Sequence, residues 1–192
     1  MSQNFTKFTF TKSVKEAQTQ YGSRKTYSQM EQSGDRYVLT ETEIPFIEGR
    51  DSFYIATVGE NGWPYVQFRG GPKGFLKILD NTTLGIADFR GNRQYISVGN
   101  INSSKKATLF LIDYPSKQRL KIWAEAEVLE TNENPELLAK LSLPDYEEIT
   151  ERLIVFKVQA YDWNCQQHIT PRFTEEEIKQ WIITQDPKMT TS

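Results

Sequence analysis

Apolar residues along the chain mostly follow the two-residue alternation of half-buried β-strands, or they form short continuous apolar runs. Between Arg119 and Leu129, every second residue from Leu120 to Val128 is apolar, which predicts a long strand with one buried face. Aromatic and β-branched residues fill most of the other runs, as strands favour. The predicted strands are Phe53–Val58, Trp63–Arg69, Phe75–Leu79, Leu84–Ala87, Ala107–Asp113, Arg119–Leu129 and Arg152–Trp163.

Turn-forming residues separate the first four of these strands. The segment Gly59-Glu60-Asn61-Gly62 predicts a tight hairpin between the first two strands. The glycine-rich segment Gly70–Gly74 and the turn Asp80–Thr83 divide the next ones. The four strands are therefore predicted to form an antiparallel meander.

Five segments have helical spacing or helix-start signals instead. Thr40 with Glu43, and Thr174 with Glu177, fit the capping box, in which a hydroxyl and a carboxylate satisfy free backbone donors at a helix start. Pro135 after Asn134 is a further start signal. The predicted helices lie near Ser13–Tyr21, Glu41–Arg50, Gln94–Ile101, Asn134–Leu141 and Thr174–Gln185.

Together these elements predict a mainly β (α+β) fold, an antiparallel barrel of six to seven strands, closed or split, with short flanking helices. The chain of 192 residues suits a single domain. We expect its core at about residues 44–161, with an N-terminal helical extension over 1–43 and a C-terminal segment and helix over 162–192.

Composition narrows the class of protein. Hydrophobic residues make up 38% and charged residues 25% of the chain, with a mean hydropathy of -0.59, as in soluble globular proteins. Neither a secretion signal nor an apolar run of about 20 residues occurs, so we expect a cytoplasmic protein without a membrane partner. The single cysteine, Cys165, and the single histidine, His168, exclude an internal disulfide and the common zinc motifs, so no metal site is expected.

Charge is unevenly distributed along the chain. Residues 63–123 contain ten basic and three acidic residues, a net +7, while the remainder has a net charge of -9. Eight of the eleven glycines lie between Gly59 and Gly99, largely in this basic segment. Arginine side chains and close glycine backbone suit a phosphorylated small molecule, although solvated lysines and ordinary hairpin turns are the alternative reading. Neither a Rossmann nor a Walker motif occurs.

The corner Asp88–Arg93 is the most suggestive basic site. Arg90 and Arg93 lie where a predicted strand meets the start of a predicted helix, and free backbone amides at such a start favour an anion.

The succession FYIATVGENGWPYVQFRGG, LGIADFRGNRQYISVGNI, ATLFLID and RLKIWAEAEVL resembles the pyridoxamine 5'-phosphate oxidase-like family of flavin-binding split barrels. The resemblance covers about residues 44–161. It implies a homodimer that binds flavin mononucleotide (FMN) between its two protomers. By position, the residues implied to contact FMN are Gln67, Phe68 and Arg69 on the second strand, Ala87 and Asp88 on the fourth, Asn92 and Arg93 at the corner, and Arg119 facing the flavin ring.

The chain departs from the true oxidases of that family in three places. It has Gln67 and Gly71-Pro72 instead of an Arg-x-x-x-x-Lys strand, Gly91-Asn92-Arg93 instead of a Ser-Arg-Lys corner, and no evident Arg-Leu-x-x-Arg segment. The resemblance therefore implies a flavin-binding oxidoreductase acting on a small molecule rather than the vitamin B6 reaction itself.

The segment Asn164–Arg172 resembles the terminal signature of family members without a defined substrate. In one interpretation it folds over the partner protomer's flavin, with Arg172 on an anion and His168 near the ring or substrate. In the other, His168 is an ordinary surface residue. Cys165 is predicted to be a small, buried or partly buried thiol rather than a nucleophile.

Two other functions compete with an FMN-dependent oxidoreductase. The same groove could belong to a non-enzymatic module that stores or senses flavin or holds haem. Nucleic-acid binding by the basic segment, with Tyr65 and Phe68 as stacking surfaces, is opposed by the acidic isoelectric point of about 5.6, so no nucleic-acid partner is expected.

Overall fold

The computed structural model describes residues 4–185. Its strands are β1 (Ser52–Val58), β2 (Pro64–Gly70), β3 (Lys77–Asp80), β4 (Thr83–Phe89), β5 (Lys106–Asp113), β6 (Gln118–Glu130) and β7 (Thr150–Trp163). Its α-helices are α1 (Thr6–Thr9), α2 (Lys12–Gln20), α3 (Arg24–Met30), α4 (Glu43–Glu48), α5 (Ile96–Ser104), α6 (Pro135–Leu141) and α7 (Glu175–Gln185), with short 3-10 turns at Thr131–Glu133 and Glu147–Ile149. Every predicted strand and helix is present, with shifted ends, while α1 and α3 were not predicted.

The seven strands form one antiparallel sheet in the order β2-β1-β5-β6-β7-β4-β3. The mainly β prediction is confirmed, including the β1–β2 hairpin, whose turn is closed by the Gly59 N–H donating to the Trp63 carbonyl at 3.0 Å. The predicted four-stranded meander is wrong, because β2 and β3 lie at opposite edges of the sheet. Because these two edge strands do not pair with each other, the barrel is split open between β2 and the β3–β4 pair.

The connection between β2 and β3 explains this split. The Gly71 N–H donates to the Asp51 carbonyl at 2.9 Å, and the Gly74 N–H donates to the Arg50 carbonyl at 3.1 Å, so the loop is held against the start of β1. Phe75, which was predicted to begin a strand, is instead buried in the core. Because Phe75 is buried, the chain leaves β2 through the core and does not turn back to pair with β2.

The core is built from the inward faces of the strands and from α4. The alternation predicted for β6 is confirmed, since Leu120 and Ile122 are fully buried. Its main cluster includes Ile47, Phe53, Ile55, Leu76, Leu84, Ile86, Leu109, Leu111, Leu120, Ile122, Ile154 and Phe156. A smaller cluster of Ala87, Leu141 and Leu153 lies under α6.

The two predicted capping boxes have different outcomes. At α7 the Glu177 N–H donates to the Thr174 hydroxyl at 3.2 Å and the Glu177 carboxylate accepts the Thr174 N–H at 2.8 Å, as predicted. At α4 only the second half forms: the Glu43 carboxylate accepts the Thr40 N–H at 3.1 Å, but the Thr40 hydroxyl accepts the Thr42 N–H at 3.2 Å rather than that of Glu43. Glu43 is 4% exposed and also accepts the indole N–H of Trp163 at 2.8 Å, which ties α4 to β7.

The segment that leads into α1 packs on the outer face of the sheet. Phe5 stacks on Trp123 of β6 with ring centroids 5.6 Å apart. The side-chain amide of Asn4 is buried and donates to the Met30 carbonyl at 3.1 Å, which joins the segment before α1 to the end of α3. No helix among residues 4–185 is long and apolar enough to cross a membrane.

Candidate functional site

A polar pocket of about 190 Å³ lies where β2, the β4–α5 loop and the first residues of β7 meet. It brings together five of the residues predicted from the sequence, namely Gln67, Arg69, Asp88, Asn92 and Arg93. It also includes residues that sequence reasoning missed, among them Tyr95, Ser97, Glu151 and Arg152.

The loop before α5 shapes one wall of this pocket. Arg93 and Tyr95 both adopt left-handed backbone conformations, with φ of 61° and 54°. Between them, the Gln94 N–H donates to the side-chain oxygen of Asn92 at 3.1 Å, which stabilises the tight turn. The first three residues of α5, 96–98, line the pocket, so the positive end of that helix lies at the site.

Asp88 lies at the centre of the site and is only 2% exposed. Its carboxylate contacts the Arg69 guanidinium from β2 and accepts a 3.0 Å hydrogen bond from Arg152 Nη1 of β7. The register of β4 on β7 pairs Asp88 with Arg152, which brings the second arginine into the site. Asp88 thus joins strands on both sides of the split in the sheet.

Arg152 is held on several sides. Burial by itself lowers the pKa of Arg152, but hydrogen bonds and charge from the Asp88 carboxylate, with a contribution from Glu151, raise that pKa above its usual value. The guanidinium also lies 4.7 Å from the centre of the Tyr95 ring. Arg152 is therefore a fixed positive charge at the pocket wall.

The balance of charge and hydrogen bonding in the pocket favours an anion. Three guanidinium groups (Arg69, Arg93 and Arg152) face two carboxylates (Asp88 and Glu151). The Nε atom of Arg69 is buried and has no hydrogen-bond partner among the described residues. A buried donor without a partner is costly, and an anionic oxygen would satisfy it.

Two predicted contacts lie on other faces of the strands that supply the pocket. Side chains alternate along a strand, so Ala87, next to Asp88, points away and packs with Leu141 and Leu153. Phe68, next to Arg69, lies on the outer face of β2 and is 59% exposed. Neither side chain lines the pocket.

Three further predicted site residues also lie outside the pocket: Arg119, His168 and Arg172. The buried Nε of Arg119 has no partner among the described residues, and His168 is exposed with a left-handed φ of 63°. The Arg172 guanidinium lies 5.0 Å from the centre of the Tyr114 ring. Cys165 is exposed, so its predicted burial is wrong; it lies just beyond the end of β7, where the chain leaves the sheet.

The outer face of β1, β2 and β5 carries an apolar surface. Val66 is 60% exposed, and Tyr54 contacts Phe68 across the strand pair with ring centroids 5.6 Å apart. Phe110 of β5 lies 6.4 Å from Tyr54, which extends the surface over a third strand. We call Tyr54, Val66, Phe68 and Phe110 the outer apolar face. Contiguous exposed apolar residues of this kind mark interaction surfaces.

Comparisons with known proteins agree with this architecture. A family model described as pyridoxamine 5'-phosphate oxidase matches residues 39–161. A candidate pyridoxamine 5'-phosphate oxidase from Lactobacillus delbrueckii is 23% identical with a TM-score of 0.51, and the match covers 66% of this chain and 94% of that one. The comparison with curated protein sequences gives no match.

Two further solved structures share the fold at lower identity. An FMN-binding protein from Syntrophomonas wolfei is 13% identical with a TM-score of 0.50, over 77% of this chain and 97% of that one. A variant of HupZ from Group A Streptococcus is 12% identical with a TM-score of 0.50, over 66% and 99% of the two chains. These likenesses show the antiparallel split barrel that the sequence predicts.

Proposed function

The chain belongs to the pyridoxamine 5'-phosphate oxidase family, and on that premise we propose that it binds FMN with the phosphate in the pocket between β2 and α5. The observation that carries the proposal is the convergence of Arg69, Arg93 and Arg152 with the start of α5 around one pocket. Arginine forks and helix N-termini are the common protein partners of phosphate oxygens. The fold relative described as FMN-binding supports the same assignment.

The unpaired donor in the pocket supports the fit of the phosphate. Arg69 already contacts Asp88 through Nη1, which leaves its buried Nε free for a phosphate oxygen. The pocket of about 190 Å³ is smaller than the roughly 300–1,000 Å³ of sites that enclose a whole ligand. It therefore suits the phosphate end of FMN, whose flavin ring would lie outside the pocket.

A second copy of the chain completes the proposed site. The outer apolar face, which includes Val66 and Phe68, is the surface that we assign to a twofold contact between protomers. Phe68 alternates with Gln67 and Arg69 on one strand, so a single strand supplies both the pocket and the contact. In this arrangement His168 and Arg172, which lie outside the pocket, act on the flavin of the partner protomer. Arg119, also outside the pocket, faces a flavin ring.

The proposed activity is that of an oxidoreductase with a small-molecule substrate. When bound, the flavin supplies electron or hydride transfer, which the side chains of the chain cannot perform themselves. The residues of the pocket fix the phosphate and thereby orient the ring. Asp88 and Arg152 hold the pocket walls in place and do not transfer protons in this proposal.

The test is the visible absorption spectrum of the purified protein, followed by acid release and chromatography of any chromophore. If the protein is colourless, FMN and riboflavin are titrated in parallel, because riboflavin is a matched ligand that lacks the phosphate. The proposal expects a flavin spectrum or tight FMN uptake, with riboflavin binding much more weakly. A haem spectrum, or no uptake of FMN, would contradict it. Oxidation of a reduced nicotinamide with an artificial acceptor then separates an enzyme from a flavin store.

A further inference from the structure

A bulge in β7 places a carboxylate inside the anion pocket. The pairing of β4 with β7 steps from Asp88–Arg152 directly to Phe89–Thr150, so Glu151 has no partner across the ladder. Neighbouring residues of a regular strand point to opposite faces, but a bulge can redirect one of them. Glu151 and Arg152 both line the pocket, and the Glu151 carboxylate accepts a 2.8 Å hydrogen bond from Arg152 Nη2.

The same carboxylate reaches the other groups that face the pocket. Its Oε1 lies 3.6 Å from the Nε of Arg93, and its Oε2 accepts a 3.5 Å hydrogen bond from the Tyr95 hydroxyl. The side chain of Glu151 is 19% exposed, whereas that of Arg93 is 60% exposed. Glu151 therefore occupies donors that a bound anion would otherwise use, at the side of the pocket nearest to solvent.

We propose that Glu151 is an internal competitor for the ligand phosphate, which holds Arg93, Arg152 and the Tyr95 hydroxyl until a phosphate monoester displaces it. This inference rests on the proposed function, because it assigns the phosphate to the same pocket. Asp88 differs from Glu151, since it is bound by two arginines at the base of the pocket and is almost fully buried. Asp88 stays in place while Glu151 moves.

Because a ligand must displace the Glu151 carboxylate to bind, the pocket selects ligands by their negative charge. A phosphate monoester carries about two negative charges at neutral pH and offers three acceptor oxygens, so it can replace a single carboxylate on several donors. A neutral ligand has no charge with which to displace Glu151. Glu151 therefore lowers the affinity of the pocket for every anion and makes the pocket selective for doubly charged phosphate groups over singly charged ones.

The decisive comparison is Glu151→Gln against wild type, with FMN, riboflavin and inorganic phosphate as the three probes. Glutamine keeps the size and the hydrogen-bonding oxygen but removes the charge. Glu148→Gln is the matched control, because Glu148 is exposed and lies outside the pocket lining. Affinities come from flavin fluorescence titration and from calorimetry for phosphate, and thermal melting establishes that each variant is folded.

We expect Glu151→Gln to bind FMN and inorganic phosphate about threefold or more tighter than wild type. A change of this size matches the small contribution of a partly exposed ion pair. Riboflavin affinity stays unchanged, and Glu148→Gln behaves as wild type. Unchanged or weaker phosphate binding by Glu151→Gln would overturn the inference. If wild type binds no flavin, the proposed function fails on its own. The phosphate titration then still decides whether Glu151 competes for an anion, because tighter binding by Glu151→Gln supports it and equal binding refutes it.

Discussion

The guanidinium of Arg69 on β2 contacts the carboxylate of Asp88 on β4, across two strands that do not pair with each other. The ion pair lies where the sheet is split, so side chains replace the missing backbone ladder at that point. Arg152 completes the link by bonding the second oxygen of the same carboxylate at 3.0 Å. One buried acidic residue therefore supports both the closure of the barrel and the base of the candidate site.

Replacement of Asp88 by asparagine should destabilise the fold. The change leaves two largely buried guanidinium groups without their shared counter-charge, and breaking a buried pair costs about 3 kcal/mol or more. We expect a loss of about that size in the free energy of unfolding measured with urea. Asp145→Asn is the control, since Asp145 is exposed, and it should change stability by less than about 0.5 kcal/mol. Equal stability of the two variants would contradict the central role of Asp88.

Arg93→Ala should weaken FMN binding without unfolding the protein. The side chain of Arg93 is 60% exposed, so its removal costs little stability, but it takes away a charged donor at the pocket. We expect the FMN dissociation constant to rise about tenfold or more and that of riboflavin to stay the same. Arg90→Ala serves as the control, because Arg90 is exposed and does not line the pocket. Undiminished FMN affinity in Arg93→Ala would remove Arg93 from the phosphate site.

Phe68→Asp should separate the proposed dimer into folded monomers. Phe68 is 59% exposed in a single chain, so an aspartate there leaves the core intact but places a charge in the contact. We expect the mass measured by light scattering to halve at micromolar concentration. Tyr21→Asp removes another exposed aromatic residue away from that face and should leave the mass unchanged. A wild-type monomer, or a Phe68→Asp dimer of normal affinity, would refute the assignment of the outer apolar face.

The buried Glu43 carboxylate should make stability depend on pH. Burial raises the pKa of Glu43, but hydrogen bonds from Trp163 and Thr40 outweigh it and hold that pKa below its usual value of 4.5. A carboxylate whose pKa is lower in the folded state stabilises the fold above its unfolded pKa, and it loses that contribution as pH falls through the folded pKa. Acidification should therefore weaken wild type more than Glu43→Gln.

The measurement is urea unfolding of wild type and Glu43→Gln across the acidic range. At neutral pH Glu43→Gln should be less stable by about 1–2 kcal/mol, because charge-assisted hydrogen bonds are lost. This difference should shrink as pH falls below about 4.5. The exposed Glu41 provides the control variant Glu41→Gln, which should follow wild type. A difference that is constant with pH would show that the charge of Glu43 does not contribute.

Local sequence signals were sufficient for the strands, the hairpin and most helices. Period-two alternation in β6 and turn residues at Gly59–Gly62 act over a few residues, so they can be read without the rest of the chain. The order of the strands could not be read in this way. The placement of β3 at the far edge depends on the burial of Phe75 and on hydrogen bonds from the 71–74 loop to the two residues before β1, and these contacts form only in the folded barrel.

The residues of the candidate site likewise fall into those that local sequence predicted and those that only strand pairing brought in. The sequence by itself determined the basic corner, with Asn92 and Arg93 at a helix start, because those residues are neighbours in the chain. Only the tertiary structure decided that Arg152, 64 residues beyond Asp88, shares its carboxylate, and that a bulge turns Glu151 into the pocket. Strand pairing over such a separation has no local signal, since side-chain direction is fixed by the register of the partner strand. The sequence therefore indicated an anion site and three of its five charged residues, while the fold supplied the other two, Glu151 and Arg152.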